Sequence, residues 1–168
     1  MKQKVLPTII LLIILFIVFF IIYMKFYNEE KIFNGYQAAV YKTHCGDYKK
    51  GDVTINSKKI SVDIADNECK EVLGLSERNS LNDGEGMFFV FDNQNYYPFW
   101  MKDMNFPIDI LWINDSFKIV GIEKNVSPDT YPQYFGAEFF SKYILEIPAF
   151  YSDRNNIKVG DKIIFSIN

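Results

Sequence analysis

Charged side chains interrupt one of the most apolar stretches of the sequence. This stretch, FWMKDMNFPIDILWI, covers residues 99–113 and contains Lys102, Asp103 and Asp109. Charges are normally kept out of an apolar core unless they are paired. They therefore lie on the solvent-exposed face of a strand, or they line a functional site. In a strand over IDILWI, successive side chains alternate between faces, so Asp109 begins a face that is otherwise apolar.

Paired carboxylates are one catalytic chemistry that the sequence leaves open. Glycosidases use two Asp or Glu side chains, one as acid and one as base or nucleophile. The candidate pairs are Glu85 with Glu146, or Asp109 with either of them. Their spacing along the chain does not fix their separation in space, so a carbohydrate hydrolase stays an alternative.

The sequence contains few residues suited to other catalytic mechanisms or to metal binding. His44 and Cys45 are adjacent, and neighbouring side chains in a strand point to opposite faces, which disfavours a nucleophile and base pair. One His and two Cys do not easily supply the roughly four ligands of a zinc site, and no G-x-S-x-G motif is present. The sequence predicts no metal and no cofactor. It leaves Cys45 and Cys69 as a candidate disulfide if the domain is exported.

Composition excludes some partners. The 168 residues carry a formal net charge of −3, so no basic field for nucleic acid is present. Only Arg78 and Arg154 are arginines, which leaves few candidates for bidentate recognition of phosphate or carboxylate. Aromatic residues make up 17% of the chain, a share that favours a β-rich fold.

The N-terminus contains the strongest single pattern. Residues 5–24, VLPTIILLIILFIVFFIIYM, carry no charge, and a helix of this length spans a hydrocarbon core of about 30 Å. The run is longer than the apolar core of a signal peptide and lacks an A-x-A-like cleavage site. Residues 1–24 are therefore predicted to be an uncleaved signal anchor in the lipid bilayer. Lysines flank the span almost equally, but a short tail before a long domain favours a domain outside the cytoplasm.

The remaining chain is divided into a stalk, residues 25–51, and a domain, residues 52–168. VTINSKKISVDIA predicts a hairpin, and NECKEVLGL predicts a short helix with Asp66 as its N-cap. MFFVF, IDILWI, KIVGIE, KYILEI and the last residues predict strands, with a second short helix near PAFYSDRNN. The fold class predicted is mainly β or α+β. It is a compact, barrel-like sheet with two short peripheral helices, preceded by one transmembrane helix.

A long, ordered series of motifs resembles the family of domains of unknown function numbered 192. The resemblance covers roughly residues 55–166, and its motifs are GL at 74–75, Arg78, EGMFFVF at 85–91, FWMK at 99–102, PIDILWI at 107–113, YILEI at 143–147 and IKVGDKI at 157–163. It implies an exported or membrane-anchored domain with a small β-barrel, and it brings no established catalytic mechanism. Phe150 departs from the pattern, because the family usually has Gly at this position.

The same resemblance defines the candidate site. It places Arg78, Glu85, Lys102, Asp109 and Glu146 at recurring positions. These charges either pair at the barrel rim or converge beside Trp100 as a polar pocket with an aromatic wall, as in many small-molecule and sugar sites. Lys102 and Asp109 are expected together at the barrel mouth.

A loop rich in aromatic residues is the last candidate feature. YPQYFGAEFF, residues 131–140, carries five aromatics. If exposed, it is a contact patch for a partner, a glycan or a lipid surface; if folded onto the barrel mouth, it is a lid over the core.

These observations predict a membrane-anchored, extracytoplasmic domain that binds a ligand or partner at the cell envelope without catalysis. An envelope glycan or a membrane protein is the candidate partner. The alternatives are an envelope enzyme, such as a carboxylate-based carbohydrate hydrolase, and a structural accessory of a membrane complex.

Overall fold

The computed structural model describes the backbone of residues 5–76 and 78–168, and in the first helix the side chains of residues 9–29, Ile32 and Cys45. The chain forms two compact units, Met1–Thr43 and His44–Asn168. The side chain of His44 lies outside the described residues.

The first helix is longer than the apolar run predicts. Helix α1 covers Val5–Cys45, and its segment Ile9–Glu29 is long and apolar enough to cross a membrane, a property that signal sequences share. The helix ends where Gly46 takes a positive φ of 69°, the left-handed backbone typical of a helix C-terminus. Helix α1 and strand β1, which begins at Lys49, together cover most of the segment 25–51.

The second unit consists of one mixed sheet and two short α-helices. The strands are β1 Lys49–Ile55, β2 Lys58–Ala65, β3 Glu85–Tyr96, β4 Ile108–Ile113, β5 Ile119–Val126, β6 Phe140–Pro148 and β7 Ile163–Ile167. Helix α2 covers Glu68–Leu73, helix α3 covers Tyr151–Arg154, and a 3-10 turn lies at Pro128–Thr130. The mainly β fold with short helices is confirmed.

The sheet is open but strongly curled. Its strand order is β5-β4-β6-β3-β2-β1-β7, and among the described strands β2 and β3 alone pair in parallel. The two edge strands approach each other at one end, where Lys118 and Lys162 form an isolated antiparallel bridge. The predicted barrel is thus a curled sheet that does not close along its length.

Turn and cap chemistry explain the local elements. The β1–β2 hairpin turns through Asn56 and Ser57, both with positive φ, as a type I′ hairpin turn requires. The predicted cap Asp66 is wrong: Asn67 is the N-cap of α2, and its side-chain oxygen accepts from the Lys70 N–H at 3.0 Å. Asp66 pairs instead with the ammonium groups of Lys49 and Lys70.

The sheet buries apolar side chains on both faces. We call the first cluster the inner core; it collects residues from all seven strands together with Tyr151 of α3 and Ile157. We call the second cluster the outer core; it lies on the opposite face of β3, β4 and β6 and includes Met87, Ile110 and Trp112. This double burial explains why all six residues of β4 are buried and why its sequence is almost wholly apolar.

A disulfide joins α2 to the start of the second unit, at the last residue of α1. Cys45 and Cys69 are bonded, with their Cα atoms 5.3 Å apart, within the usual range for a disulfide. The pairing predicted for an exported domain is therefore present in the structure.

Candidate functional site

A cleft of about 320 Å³ opens beside the outer core. Residues 71–76, at the end of α2 and in the turn after it, form one wall, and residues 97–104 form another. Phe91, Tyr134 and Glu146 complete the lining. We call this the aromatic cleft.

Hydrogen bonds to the backbone hold the walls of the aromatic cleft in place. The Ser76 hydroxyl donates to the Lys102 carbonyl at 3.1 Å, which joins the turn after α2 to the segment 97–104. Phe99 and Phe135 exchange backbone hydrogen bonds of 2.9 and 2.8 Å, which joins that segment to the aromatic loop 131–140. The indole N–H of Trp112 donates to the Tyr97 carbonyl at 2.9 Å. The cleft is therefore built on the sheet rather than on a free loop.

The aromatic loop is partly a cover and partly an exposed surface. Phe135 and Phe139 pack against the outer core, and Gly136 lies so close to the Trp112 ring that a Cβ there would meet it at 2.1 Å. Tyr131 and Tyr134 remain exposed. Both interpretations of the loop sequence thus apply, each to different residues.

Trp100 is the largest exposed ring of the cleft. It is 41% exposed. Its ring stacks on Tyr134, with centroids 5.1 Å apart and an interplanar angle of 18°, and touches Tyr131 at 5.7 Å. Such stacking holds a flat apolar surface at the cleft wall without burying it.

Glu146 supplies a buried carboxyl to the same cleft. It lies on β6 between Met87 of β3 and Ile110 of β4, is 5% exposed, and its Oε2 atom has no hydrogen-bond partner. Burial raises the pKa of the Glu146 carboxyl to about 8, against a smaller opposing effect of the Arg78 charge. At neutral pH the side chain is therefore mostly an uncharged acid that can donate a hydrogen bond as well as accept one.

Two further ionisable groups line the aromatic cleft. Lys102 is half exposed, and its ammonium group pairs with Asp103 at 3.2 Å. Glu71 lies on the wall formed by α2, and burial, helped by the nearby Asp92 charge, raises the pKa of its carboxyl. The cleft thus combines aromatic rings with a lysine and two carboxyl groups.

Arg78 and Glu85 lie in a different cleft of about 370 Å³, lined mainly by polar residues, which we call the polar cleft. Arg78 donates to Asp63 at 2.9 Å, and Lys50 also pairs with Asp63. Glu85 accepts from the backbone and side-chain amides of Asn82. The charges of this cleft already have partners within the protein.

Asp109 lies in neither cleft. It is fully buried on the inner-core face of β4. Its Oδ1 accepts from the backbone N–H groups of Asn125 at 2.9 Å and Phe150 at 3.0 Å, and its Oδ2 accepts from that of Ser152 at 2.8 Å. Asp109 therefore fastens the start of α3 to β4. The expected placement of Asp109 beside Lys102 at the barrel mouth is wrong, because Asp109 is buried on the inner-core face whereas Lys102 lines the aromatic cleft.

The six predicted site residues are thus divided among three places. Trp100, Lys102 and Glu146 share the aromatic cleft, Arg78 and Glu85 share the polar cleft, and Asp109 is buried alone. The three carboxylates considered for hydrolysis do not share a cleft. Among the residues that the structure describes, no three His, Cys, Asp or Glu side chains are grouped to hold a metal ion.

Sequence reasoning did not single out Glu71, Tyr97 or Tyr134, which also line the aromatic cleft. Tyr134 lies in the aromatic loop, so its residue type and the loop length were the available signal. Glu71 resembles any exposed residue of a short helix, and nothing in its local sequence distinguishes it.

Comparison with known proteins places the domain in a family. The DUF192 family, described as an uncharacterized ACR, matches residues 51–165. The chain belongs to the DUF192 family. No curated protein matches it.

Two solved structures share the fold of this DUF192 domain. One is a "putative transcription regulator" from Sinorhizobium meliloti 1021, with a TM-score of 0.66 and 23% identity; the match covers 71% of this chain and 96% of that one. The other is a protein of unknown function from Novosphingobium aromaticivorans DSM 12444, with a TM-score of 0.62 and 27% identity; the match covers 68% of this chain and 83% of that one. At such low identities the likeness supports the fold and leaves the activity open.

Proposed function

We propose that this protein is a membrane-anchored domain that binds an envelope glycan outside the cytoplasm, through the aromatic cleft. The observation that carries the proposal is the combination of the exposed Trp100–Tyr134 stack with the buried, unpartnered Oε2 of Glu146 in one cleft. Sugar rings have an apolar face that packs on aromatic rings and hydroxyl groups that need polar partners.

The N-terminal helix supports the location. The segment Ile9–Glu29 has the length and composition of a membrane span, and its residues give no sign of a cleavage site. The Cys45–Cys69 disulfide suits an oxidising compartment. Retention of the anchor is checked by N-terminal sequencing of the membrane-extracted protein, and a mature start beyond Met24 would overturn it.

The positions of Glu85 and Asp109 remove the carboxylate pairs that the sequence suggested for hydrolysis, which supports binding over catalysis by those pairs. Glycoside hydrolysis needs two carboxyl groups flanking the scissile bond. Asp109 is occupied by three backbone N–H groups, and Glu85 lies in the polar cleft with its own partners. Glu146 is thus left without either of the partners that the sequence suggested.

The test uses the full chain in lipid nanodiscs and purified envelope polysaccharide. We expect saturable binding that is lost in Trp100→Ala. Tyr96→Ala is the matched control, because Tyr96 is an exposed aromatic residue that packs on Phe140 outside the cleft lining. Absence of binding by the unaltered protein, or equal loss in both variants, would overturn the proposal.

A further inference from the structure

The unpartnered oxygen of Glu146 is a polar atom that the protein itself leaves unused. A buried polar atom without a hydrogen bond costs free energy, so such atoms are rare in native proteins. Asp109, another carboxylate buried within the sheet, accepts three hydrogen bonds. Glu146 differs because its residue lines the aromatic cleft.

We propose, resting on the glycan-binding function above, that Glu146 holds its ligand as a neutral carboxyl that donates a hydrogen bond, so that the aromatic cleft selects uncharged sugars. An ionised Glu146 would lose its only donor and would add an unpaired charge to the floor of the cleft. Affinity for an uncharged sugar therefore falls as Glu146 ionises.

The surroundings of Glu146 favour the neutral form. Its neighbours across the sheet, Met87 and Ile110, are apolar and fully buried. Arg78 is the cation whose charge acts on Glu146, but its guanidinium group already donates to Asp63 at 2.9 Å. Burial outweighs this opposing charge and raises the pKa of Glu146 to about 8.

Other ionisable groups around the cleft do not supply a counter-ion. Lys102 is directed to Asp103, and Glu71 is itself a carboxyl whose pKa burial raises. Tyr97 lines the cleft, and burial raises the pKa of its phenol. Tyr48 interacts electrostatically with Glu146, and burial raises the pKa of its phenol too. The floor of the cleft is therefore short of positive charge directed at Glu146.

A cationic ligand is the rival occupant. Aromatic rings beside a carboxylate also bind quaternary ammonium groups. Such a ligand needs ionised Glu146, so its affinity would rise with pH. The two ligand classes therefore predict opposite pH dependences.

The experiment measures binding to the full chain in nanodiscs at pH 6 and pH 9. The probes are four neutral tetrasaccharides (of N-acetylglucosamine, β-1,4-glucose, α-1,4-glucose and β-1,4-mannose), a uronic acid tetrasaccharide and choline. We expect a neutral tetrasaccharide to bind at pH 6 and to lose at least tenfold in affinity at pH 9. Glu146→Gln, which keeps a donor and cannot ionise, should bind within threefold at both values.

Two controls separate this effect from general changes in the protein. Glu85→Gln alters a carboxyl of the polar cleft and should keep the tenfold loss. Glu146→Leu removes the donor and should bind weakly at both pH values, while circular dichroism shows whether each variant is folded. Carbon-13 NMR of the glutamate carboxyl groups, assigned with Glu146→Gln, reports the ionisation of Glu146 directly.

The outcomes distinguish this inference from the proposed function. Equal affinity at both pH values, binding of no neutral probe, or choline binding that strengthens with pH would overturn the inference. If binding of envelope polysaccharide still depends on Trp100 in any of these cases, the proposed function stands and only the role of Glu146 fails. If that binding is also absent, both fail.

Discussion

Asp109 and Glu146 are buried carboxyl groups on adjacent, paired strands, yet they differ in their hydrogen bonding. In the β4–β6 register Ile110 lies opposite Glu146 and Asp109 lies opposite Ile147, so the two acids are one position apart. They face opposite sides of the sheet. Asp109 accepts three backbone hydrogen bonds, and the Oε2 atom of Glu146 accepts none.

The difference separates a structural carboxylate from an available one. Burying a charge is costly unless hydrogen bonds replace those to water. The N–H groups of Asn125, Phe150 and Ser152 supply that replacement for Asp109 and in return join three segments of the inner core. Glu146 receives no such replacement at Oε2, so burial acts mainly to disfavour its charged form. A buried acid with open hydrogen-bonding capacity beside a cleft is therefore the better candidate for a ligand contact.

The largest effect is expected from Asp109→Ala. The change leaves three backbone N–H groups without their acceptor, two of them at the start of α3. Hydrogen bonds to charged groups contribute about 1.5–3 kcal/mol each, so the free energy of unfolding should fall by roughly 5 kcal/mol. Urea denaturation at pH 7 measures it.

Asp115→Ala serves as the control for Asp109→Ala. Asp115 is an exposed residue of the β4–β5 turn, and its change should alter stability by less than about 1 kcal/mol. A stable Asp109→Ala protein, with a denaturation midpoint like that of the control, would show that the three hydrogen bonds do not hold α3 in place.

Glu146→Gln should increase the free energy of unfolding at alkaline pH, whereas Asp109→Ala should decrease it. The folded protein holds the Glu146 proton up to about pH 8, whereas the unfolded chain releases it near pH 4.5. Between these values the folded state binds more protons, so this residue's contribution to stability is full below pH 4.5 and is lost as the pH rises to about 8. Because Gln cannot ionise, it avoids a loss of roughly 4–5 kcal/mol at pH 8, at about 1.4 kcal/mol per pKa unit. Burying the additional N–H of the Gln amide costs about 1–3 kcal/mol, so the variant should be more stable than the unaltered protein at pH 8 by about 2–3 kcal/mol.

Urea denaturation from pH 4 to pH 9 measures the comparison. The difference between Glu146→Gln and the unaltered protein should grow with pH and level off above pH 8. A difference that is constant over this range would mean that Glu146 ionises in the folded protein as it does in the unfolded chain. The proposed neutral carboxyl would then be excluded.

Sequence patterns predicted the sheet better than the site. Alternation and short apolar runs located the hairpin and the central strands, because strand periodicity is a local property. Asp109 in IDILWI and Glu146 in YILEI look alike at this level, since each is one charge among apolar strand residues. Their partners come from distant segments: the N–H of Ser152 is 43 residues from Asp109. Only the tertiary structure separates the two roles.

Phe150→Gly tests the strain at the segment that Asp109 holds. Phe150 has φ 63°, in the left-handed region that glycine adopts at no steric cost, and its side chain is half exposed. Glycine should relieve about 1 kcal/mol of strain, partly offset by greater freedom of the unfolded chain, so we expect a small gain in thermal stability. A large loss would show that the Phe150 ring packs more firmly than its exposure indicates.

Lys102→Met is expected to have the smallest effect on stability. The lysine is half exposed and pairs with the exposed Asp103 at 3.2 Å, and such surface pairs contribute about 0–1 kcal/mol. Lys124, whose ammonium group pairs with the exposed Asp153 at 2.6 Å, is the matched control outside the cleft. Lys102→Met and Lys124→Met should therefore unfold at nearly the same urea concentration as the unaltered protein.

The pH dependence of stability sharpens the test of Lys102. If Lys102 neutralised Glu146, its removal would raise the pKa of Glu146 and move the loss of stability to higher pH. An unchanged pH profile would mean that burial, opposed by the Arg78 charge, sets the pKa of Glu146. A shifted profile would show that Lys102 and Glu146 interact as a pair.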